Sequence, residues 1–329
     1  MAVVTNMNTD QALGSDRALK GQRGRGSAGA GDHSGPRRRK ALVNYGYWWW
    51  ALPAIVLVLV VVYVTTASGA FFAFTDWTGI GKFNFVGLAN FQKIFSTPAL
   101  SGALWHTLFL AAGFVIFTNV FGLSFALAVN RMLKTRYLLR VLLFMPVVLS
   151  PIAVSYIFAF IFAYKGPLNA LLAGVGLSNL QQDWLANPTS AILSVLFVMV
   201  WQSIGLVMVV YLAGLASVPI ELEEASALDG AGVFSRFRHI TLPMIQPSIA
   251  IASTLMLVQG LRVFDQIMAL TGGGPFGATE TLATQIYKQS FTFGRYGFGA
   301  ALALVLTVII LIFAIGQQLA MRSRDQVGK

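Results

Sequence analysis

Four polar side chains interrupt the apolar segment Leu257–Leu270: Gln259, Arg262, Asp265 and Gln266. A charged side chain inside a bilayer is costly and by default faces a bundle interior or a water-filled cavity. Arg262 and Asp265 are three residues apart, which makes them neighbours on one face of a helix and allows them to pair. The spacing indicates either a polar path through the membrane or a pair that joins helices, and both interpretations stay open.

The stretch EEASALDGAGVFSRFRHITLP is a polar segment between two strongly apolar ones. Pro219 suits the first turn of a helix, and the acids behind it lie where the helix dipole favours negative charge, which predicts a short helix over Pro219–Asp229. We expect Gly230 and Gly232 to supply the positive φ or the close approach that ends this helix before the chain resumes helically. The pattern predicts a helix-turn-helix outside the bilayer that docks to another protein; an amphipathic loop on lipid headgroups is the alternative.

The sequence lacks the motifs of an autonomous catalyst. It has no Gly-rich phosphate loop with its Lys and Ser or Thr, so any ATP and Mg²⁺ must be bound by partner subunits. His33, His106 and His239 are far apart and without carboxylates at metal-ligand spacing. No serine stands in a nucleophile elbow, and no two carboxylates face each other on one apolar helix. We therefore expect no enzyme activity, no metal site and no cofactor bound by this chain itself.

The composition indicates what must position these residues. The chain has 329 residues, of which 56% are hydrophobic and 11% charged, whereas soluble domains are about 25% charged. A membrane-spanning helix needs about 20 apolar residues, and six segments are long enough: 47–74, 105–130, 138–163, 190–217, 246–270 and 297–319. They are too long for strands and lack the alternation of a membrane barrel. The sequence predicts an all-α integral membrane protein with six transmembrane helices.

The positive charges predict how the chain threads the membrane. With six spans and a cytoplasmic amino terminus, 17 of the 23 Lys and Arg residues fall inside and Arg262 falls within a span. The outer loops hold only Lys82, Lys93, Lys165, Lys288 and Arg295. By the positive-inside rule this asymmetry places both termini in the cytoplasm. We expect a multi-pass protein of a bacterial cytoplasmic membrane.

The chain is expected to have three parts: a basic tail (1–46), a transmembrane domain (47–319) that contains the polar loop 219–243, and a short tail (320–329). The first tail is rich in Gly, Ser and Arg, and a segment of that composition buries too little apolar surface to order itself. The net charge of +11 is accounted for by insertion topology and anionic lipid. Membrane lipid, and not nucleic acid, is therefore the expected partner of these charges.

The polar loop carries a longer pattern: Glu224–Ser226, three residues, Gly230, nine residues and Ile240–Pro243. It resembles the EAA motif of ABC importer permeases, EAA-x3-G-x9-I-x-LP, with Ser226 in place of the second alanine. In that family the loop is a coupling helix that docks in a groove of an ATP-hydrolysing subunit. The resemblance assigns this coupling role to Glu224, Ala225, Ser226, Asp229, Gly230, Gly232, Leu242 and Pro243.

Further segments are similar to the carbohydrate-importer permeases of the maltose-permease F-subunit type. They are FVGLANFQKIF, GPLNALL, DWLANPTSAI and VFDQIMALTGGGP, and the resemblance extends over about residues 50–320. It implies the transmembrane domain of a type I ABC importer that moves a di- or oligosaccharide by alternating access. The implied partners are a second, non-identical permease subunit, two copies of an ABC ATPase and an extracytoplasmic sugar-binding (lipo)protein.

The same resemblance places sugar contacts on the fourth and fifth spans. Several family contact positions are apolar here, at Met199, Leu206 and Val263, so we expect the sugar to be bound differently from maltose. The turn TGGGP is expected to be a tight outer turn without a ligand. The expected substrate path consists of Gln202, Ser203, Gln259, Gly260, Arg262 and Asp265.

Three alternatives remain open from the sequence. A permease for glycerol phosphate esters would bring Arg262 to a phosphate. A stand-alone secondary transporter or channel would usually show a repeated half, which this sequence does not. A membrane-bound scaffold or sensor would keep the docking helix but would have no use for Gln202, Gln259 and Arg262 in mid-span.

Overall fold

The computed structural model describes residues 48–130 and 135–327, and the side chains of residues 49–130 and 135–319. The predicted basic tail (1–46) lies outside these residues, as does part of the basic stretch after the second predicted span, at 131–134. The last helix continues to Val327 and so extends into the expected tail 320–329. Within the described residues the structure is almost entirely helical, and its β-type pairing is an isolated bridge between Thr75 and Phe85.

The described part of the chain contains fifteen α-helical segments. They are α1 (Leu52–Val58), α2 (Thr65–Phe72), α3 (Ala89–Ser96), α4 (Pro98–Asn130), α5 (Arg136–Val148), α6 (Pro151–Phe162), α7 (Pro167–Gly174), α8 (Pro188–Leu215), α9 (Ile220–Leu228), α10 (Val233–Arg236), α11 (Leu242–Met244), α12 (Gln246–Leu261), α13 (Asp265–Leu270), α14 (Leu282–Tyr287) and α15 (Tyr296–Val327). Short 3₁₀ segments occupy Trp48–Ala51 and Ser178–Leu180, and π-helical segments occupy Leu59–Val64, Phe237–Thr241 and Lys288–Thr292.

Four helices are long and apolar enough to cross a bilayer by themselves, and two bent pairs raise this number to six if each is one span. The four are Trp49–Phe72, Pro98–Asn130, Pro188–Leu215 and Tyr296–Leu319. In the first bent pair, α5 and α6 meet at an angle of 99°. In the second, Val233–Met244 meets α12 at 69°. The structure is that of an all-α, multi-pass membrane protein, as the sequence predicts.

Two predicted spans are not single helices, which corrects the boundaries expected from the sequence. The segment 138–163 is broken at Leu149 and Ser150, before Pro151 begins α6. A proline at the first position of a helix is favourable because its missing N–H has no helical partner there. The segment 246–270 is broken after Leu261, and the chain resumes as α13 at Asp265.

Helices α4, α8 and α12 form the centre of the bundle. Gly122 of α4 allows this contact, because a Cβ atom there would lie 2.5 Å from Cγ1 of Val207. A polar cluster also joins the three helices: the Tyr211 hydroxyl donates to Asn119 Oδ1 at 2.6 Å, and the Ser253 hydroxyl donates to the same oxygen at 3.3 Å. Small residues and interhelical hydrogen bonds are the usual means by which membrane helices associate.

The tight turn predicted over Thr271–Pro275 is confirmed. Gly272 and Gly273 have φ values of +62° and +90°, which side chains other than glycine adopt at a cost. The Thr279 hydroxyl donates to the carbonyl of Gly274 at 2.8 Å and lies 2.7 Å from the Thr271 hydroxyl. These bonds close the loop on itself.

Candidate functional site: the docking loop and the polar positions of the spans

The polar loop 219–243, called the docking loop from here on, contains the predicted helix with nearly the expected bounds. Helix α9 runs from Ile220 to Leu228, with Pro219 at its N-cap and Asp229 at its C-cap. Glu221 and Glu223 occupy its first turn, where negative charge is stabilised by the helix dipole. Local sequence is sufficient to specify this helix, because its start and stop signals all lie within the helix or within two residues of its ends.

The end of α9 depends on one glycine. Gly230 has φ +82°, its N–H donates to the carbonyl of Ala227 at 3.1 Å, and the N–H of Ala231 donates to Ser226 at 3.0 Å. This is the Schellman arrangement, which requires the left-handed conformation at the residue after the C-cap. Gly232 corrects our expectation: its φ is −65°, and a Cβ atom there would meet nothing within 4 Å. Gly232 therefore supplies neither a positive φ nor a close approach.

The second arm of the loop resumes helically at Val233, as predicted, and continues to Met244, with Leu242 and Pro243 in its final turn. The two arms are bonded to each other, since the Thr241 hydroxyl donates to Glu223 Oε1 at 3.3 Å. The Ser226 hydroxyl donates to the Glu223 carbonyl at 2.9 Å. Serine at this position of the motif is thus accommodated within its own helix.

The outer surface of the loop is exposed and partly apolar. Glu224, Ala225, Asp229 and Gly230 are exposed. Large apolar side chains accompany them, with Leu228 90% exposed and Phe234 79% exposed; the others are Ile220, Leu222 and Val233. Several large exposed apolar side chains beside charged ones are typical of a protein interaction site. The geometry therefore supports docking.

Among the expected path residues, Gln202 of α8 is buried and uses both ends of its amide. Its Nε2 donates to the carbonyl of Leu149 at 2.8 Å, and its Oε1 accepts from Nε2 of Gln266 at 3.3 Å. The Leu149 carbonyl lies in the break between α5 and α6, where the helical hydrogen-bond pattern stops. Gln202 therefore links the break to α8 and α13. Ser203, beside it, is also buried.

Gln259, Arg262 and Asp265 are exposed on the surface of the isolated chain around the end of α12. The expectation that Arg262 and Asp265 share a helix face is wrong, because the helix ends at Leu261 and Asp265 begins another. Within this break the Thr281 hydroxyl donates to the carbonyl of Val263 at 3.2 Å, which satisfies a backbone acceptor outside the helix. In the described ranges the ion pair found is that of Lys288 with Glu280, so Arg262 and Asp265 do not pair.

Gly260 lies on a different side of α12 from its polar neighbours. It is buried, and a Cβ atom there would be 3.0 Å from Cα of Ala111 and 3.1 Å from the ring of Phe114, both on α4. The structure thus places Gly260 in a helix-helix contact. Across the described residues, none of the six expected path residues shares a side-chain hydrogen bond or an ion pair with another; Arg262 and Gly260 are joined only through the backbone at the end of α12.

Sequence reasoning missed two sets of residues that organise the spans. Gln266 was recognisable as a polar residue within an apolar segment, but its partner is 64 positions away in Gln202. Asn119 and Tyr211 were equally recognisable, and their bond joins positions 92 apart. The usable signal is the presence of an amide or hydroxyl in mid-span, which by itself does not specify a partner.

Comparisons with known proteins agree with this architecture. The family described as binding-protein-dependent transport system inner membrane component matches residues 118–324. The multiple sugar-binding transport system permease protein MsmF of Streptococcus mutans is 35% identical over 280 residues, which is 85% of this chain and 96% of that protein. The trehalose/maltose transport system permease protein MalF of Thermococcus litoralis is 35% identical over 245 residues, covering 73% of this chain and 81% of that protein.

Solved structures show the same fold. A chain of a bacterial ABC transporter involved in the import of the acidic polysaccharide alginate superposes with a TM-score of 0.74 at 23% identity, covering 84% of this chain and 94% of that chain. A second structure of a bacterial alginate ABC transporter, in complex with a periplasmic protein that carries an alginate pentasaccharide, gives 0.72 at 24% identity, covering 82% and 91%. At these identities the similarity concerns the fold.

Proposed function

The chain belongs to the family of binding-protein-dependent transport system inner membrane components, and from this premise we propose that it is the permease subunit of an ABC importer for a di- or oligosaccharide. It is a transport component and not an enzyme. Its sugar relatives include the Streptococcus and Thermococcus permeases named for multiple sugars and for trehalose and maltose. A third relative is named for starch degradation products, at 29% identity over 257 residues.

The observation that carries the proposal is the exposed docking loop. Its two arms are bonded through Thr241 and Glu223, and its turn is fixed by Gly230. Its apolar residues Leu228 and Phe234 are left exposed by the part of the chain that the structure describes. In this proposal an ABC ATPase covers them, so that closure of two ATPase copies on ATP moves the loops of the two permeases. The bundle then opens on one side of the membrane or the other by rigid movement of packed helices.

A second permease subunit accounts for the polar residues at the end of α12. Gln259, Arg262 and Asp265 are exposed in the isolated chain, and a charged group in a membrane protein normally faces a cavity or a partner. We place the substrate path between this surface and a second, non-identical permease, with Ser203 and Gln202 behind it. Glutamine and serine side chains both donate and accept hydrogen bonds, as sugar hydroxyls require.

The orientation follows from the basic residues. The proposed location is a bacterial cytoplasmic membrane with both termini and the docking loop in the cytoplasm, because most Lys and Arg residues lie on that side in this arrangement. The opposite end of the bundle would face an extracytoplasmic sugar-binding protein.

The proposal is tested by reconstituting the chain with its partner subunits and binding protein, and by measuring uptake of labelled maltose, trehalose and maltotriose with ATP. Leu228→Ser should release the ATPase subunits, because it places a hydroxyl in the apolar centre of the docking surface. Leu180→Ser is the matched control, since Leu180 is also an exposed leucine but lies in a distant loop. ATP-independent uptake, or full ATPase retention in Leu228→Ser, would contradict the proposal.

A further inference from the structure

A polar cavity of about 660 Å³ lies at the end of the bundle away from the docking loop. Leu100, near the start of α4, lines this cavity, whereas Asn130 at the end of α4 lies beside Glu223 in the docking-loop region. The two sites are thus separated by nearly the whole of α4, roughly 45 Å at 1.5 Å per residue. The volume is within the range of small-molecule sites, about 300–1,000 Å³. The cavity is lined by polar, charged and aromatic side chains, among them Asp76, Trp77, Lys93, Gln285, Gln289 and Arg295.

The floor of the cavity is a chain of polar side chains with one unused acceptor. Glu280 accepts hydrogen bonds from Lys288 and from Gln285. Gln289 donates its Nε2 to Oε1 of Gln285 at 3.3 Å. Oε1 of Gln289 is buried and has no donor among the described residues. A buried acceptor without a partner is destabilising, and since Gln289 lines the cavity, rotation of its side-chain amide toward the cavity would let this oxygen accept from a sugar hydroxyl.

The walls of the cavity are aromatic. The Trp77 indole stacks on Phe72 with ring centroids 4.3 Å apart, and Tyr296 lies 5.9 Å from it. The ring is therefore held in place before any ligand arrives. Phe293 also lines the cavity and is exposed, with the guanidinium of Arg295 5.9 Å from its ring centroid. Rigid aromatic faces of this kind pack against the C–H face of a sugar ring.

The rim of the cavity is electropositive. The ion pair within the described ranges joins Lys288 and Glu280, which leaves Lys93 and Arg295 without a carboxylate partner. Asp76 is occupied by Asn84, whose backbone N–H donates to Oδ1 at 2.6 Å and whose side-chain amide donates to Oδ2 at 3.1 Å. Two charged donors are thus available to sugar hydroxyl oxygens, or to the carboxylate of an acidic sugar.

We propose that this cavity is an entry site for the transported sugar, separate from the path through the spans. It would hold one or two sugar units between Trp77 and Phe293, with a hydroxyl donating to Gln289 Oε1 and with Lys93 and Arg295 at the rim. The inference rests on the proposed function, because it assigns the site to the same substrate. It also gives a role in accepting the sugar to the end of the bundle that would face the extracytoplasmic sugar-binding protein.

Substrate protection of an introduced cysteine tests the site, since the chain contains no cysteine. Ala99→Cys places a thiol on the cavity lining, and Ser178→Cys places one in an exposed, distant loop. Both variants are prepared in the complete reconstituted complex, and modification of this chain by a methanethiosulfonate reagent is followed by mass spectrometry. Maltose, trehalose and maltotriose are the probes. At ten times its dissociation constant the bound sugar should slow modification of Ala99→Cys about tenfold, because about a tenth of the sites stay free, and should not affect Ser178→Cys.

Two second-site variants assign the protection to the polar residues. Gln289→Leu should weaken sugar affinity about tenfold, the worth of one hydrogen bond, so protection at the same sugar concentration should fall to about twofold. Lys93→Gln should also reduce protection, and since Lys93 is exposed this variant is expected to fold normally. Gln92→Leu, next to Lys93 but outside the lining, should leave protection unchanged.

The possible results separate this inference from the proposed function. ATP-driven uptake of a sugar that gives no protection of Ala99→Cys overturns the entry site and leaves the proposed function standing. Protection by sugar-free binding protein, without any effect of sugar, overturns it in favour of a protein-docking cavity. Equal loss of protection in Gln92→Leu and Gln289→Leu also overturns it. If no sugar drives uptake, the proposed function fails and the entry site fails with it.

Discussion

Replacement of Gln202 by leucine tests whether this side chain holds the bend between α5 and α6. The amide of Gln202 donates to the Leu149 carbonyl at 2.8 Å and accepts from Gln266 at 3.3 Å. Leucine has a similar reach but neither donor nor acceptor. The Leu149 carbonyl lies between two helices that meet at 99°, and in a membrane protein a backbone group that leaves the helical pattern must be bonded internally.

The expected loss of stability follows from these two bonds. Side-chain hydrogen bonds in membrane proteins contribute about 0.6 kcal/mol on average and at most about 1.7 kcal/mol. We assign the upper part of this range to the short bond with Leu149 and the average to the longer bond with Gln266. The sum is about 2 kcal/mol, which corresponds to a change of roughly 30-fold in the unfolding equilibrium.

The assay is equilibrium unfolding of the purified chain in mixed micelles with increasing denaturing detergent. Gln92→Leu is the matched control, because Gln92 is exposed and lies outside the proposed substrate path, and surface substitutions usually change stability by less than about 0.5 kcal/mol. Sugar affinity of the reconstituted complex is measured in parallel. If Gln202→Leu is as stable as Gln92→Leu but binds sugar much more weakly, Gln202 acts as a sugar ligand and its role in holding the bend is refuted.

Three further predictions concern the docking loop, the bundle centre and the outer loop. Gly230→Ala should reduce sugar-stimulated ATP hydrolysis, because φ +82° is strained for alanine, whereas Gly232→Ala at φ −65° should not. Asn119→Ala should lower the free energy of unfolding by about 1 kcal/mol, and in a double-mutant cycle its effect should be smaller when Tyr211→Phe has already removed the donor. Hydrogen bonds from Asn84, first from its backbone and then from its side chain, hold the pKa of Asp76 below its ordinary value of 3.8. The ionised carboxylate therefore stabilises the fold above that pH. The difference in unfolding free energy between Asp76→Asn and the wild type should disappear as the pH falls through the lowered pKa.

The docking loop was predictable because its signals are local. Pro219, the acids of the first turn and Gly230 lie within a dozen residues, and each specifies backbone conformation directly. Gly232 shows the limit of such reasoning, because a glycine in a turn does not reveal whether its missing side chain is needed. The backbone φ of −65° decides that question.

The interruptions of the spans were not predictable, because their causes are distant in sequence. The break before Pro151 is bonded by Gln202, 53 positions beyond Leu149, and the break after Leu261 is bonded by Thr281, 18 positions beyond Val263. An apolar run gives the length of a span but not its straightness. The expected pair of Arg262 and Asp265 failed for this reason: the rule of three residues applies only while the helix continues.

The placement of the polar residues around the end of α12 was only partly predictable. Gln259, Arg262 and Asp265 were predicted to matter because polar residues are rare in spans, and the structure places all three on the exposed side of the break. Exposure depends on how a helix packs in three dimensions, which the position of a residue in an apolar run does not specify.

The base of the docking loop has mechanical consequences. Only residues 216–219 separate α8 from α9, and only Ile245, which is buried, separates α11 from α12. Below the loop, α8 and α12 are in direct contact, since a Cβ atom on Gly214 would lie 2.3 Å from the hydroxyl of Ser248. Short connections and direct contact between α8 and α12 make the base of the docking loop rigid. A displacement of the loop is therefore expected to tilt α8 and α12 together, because the connecting residues are too few to absorb it.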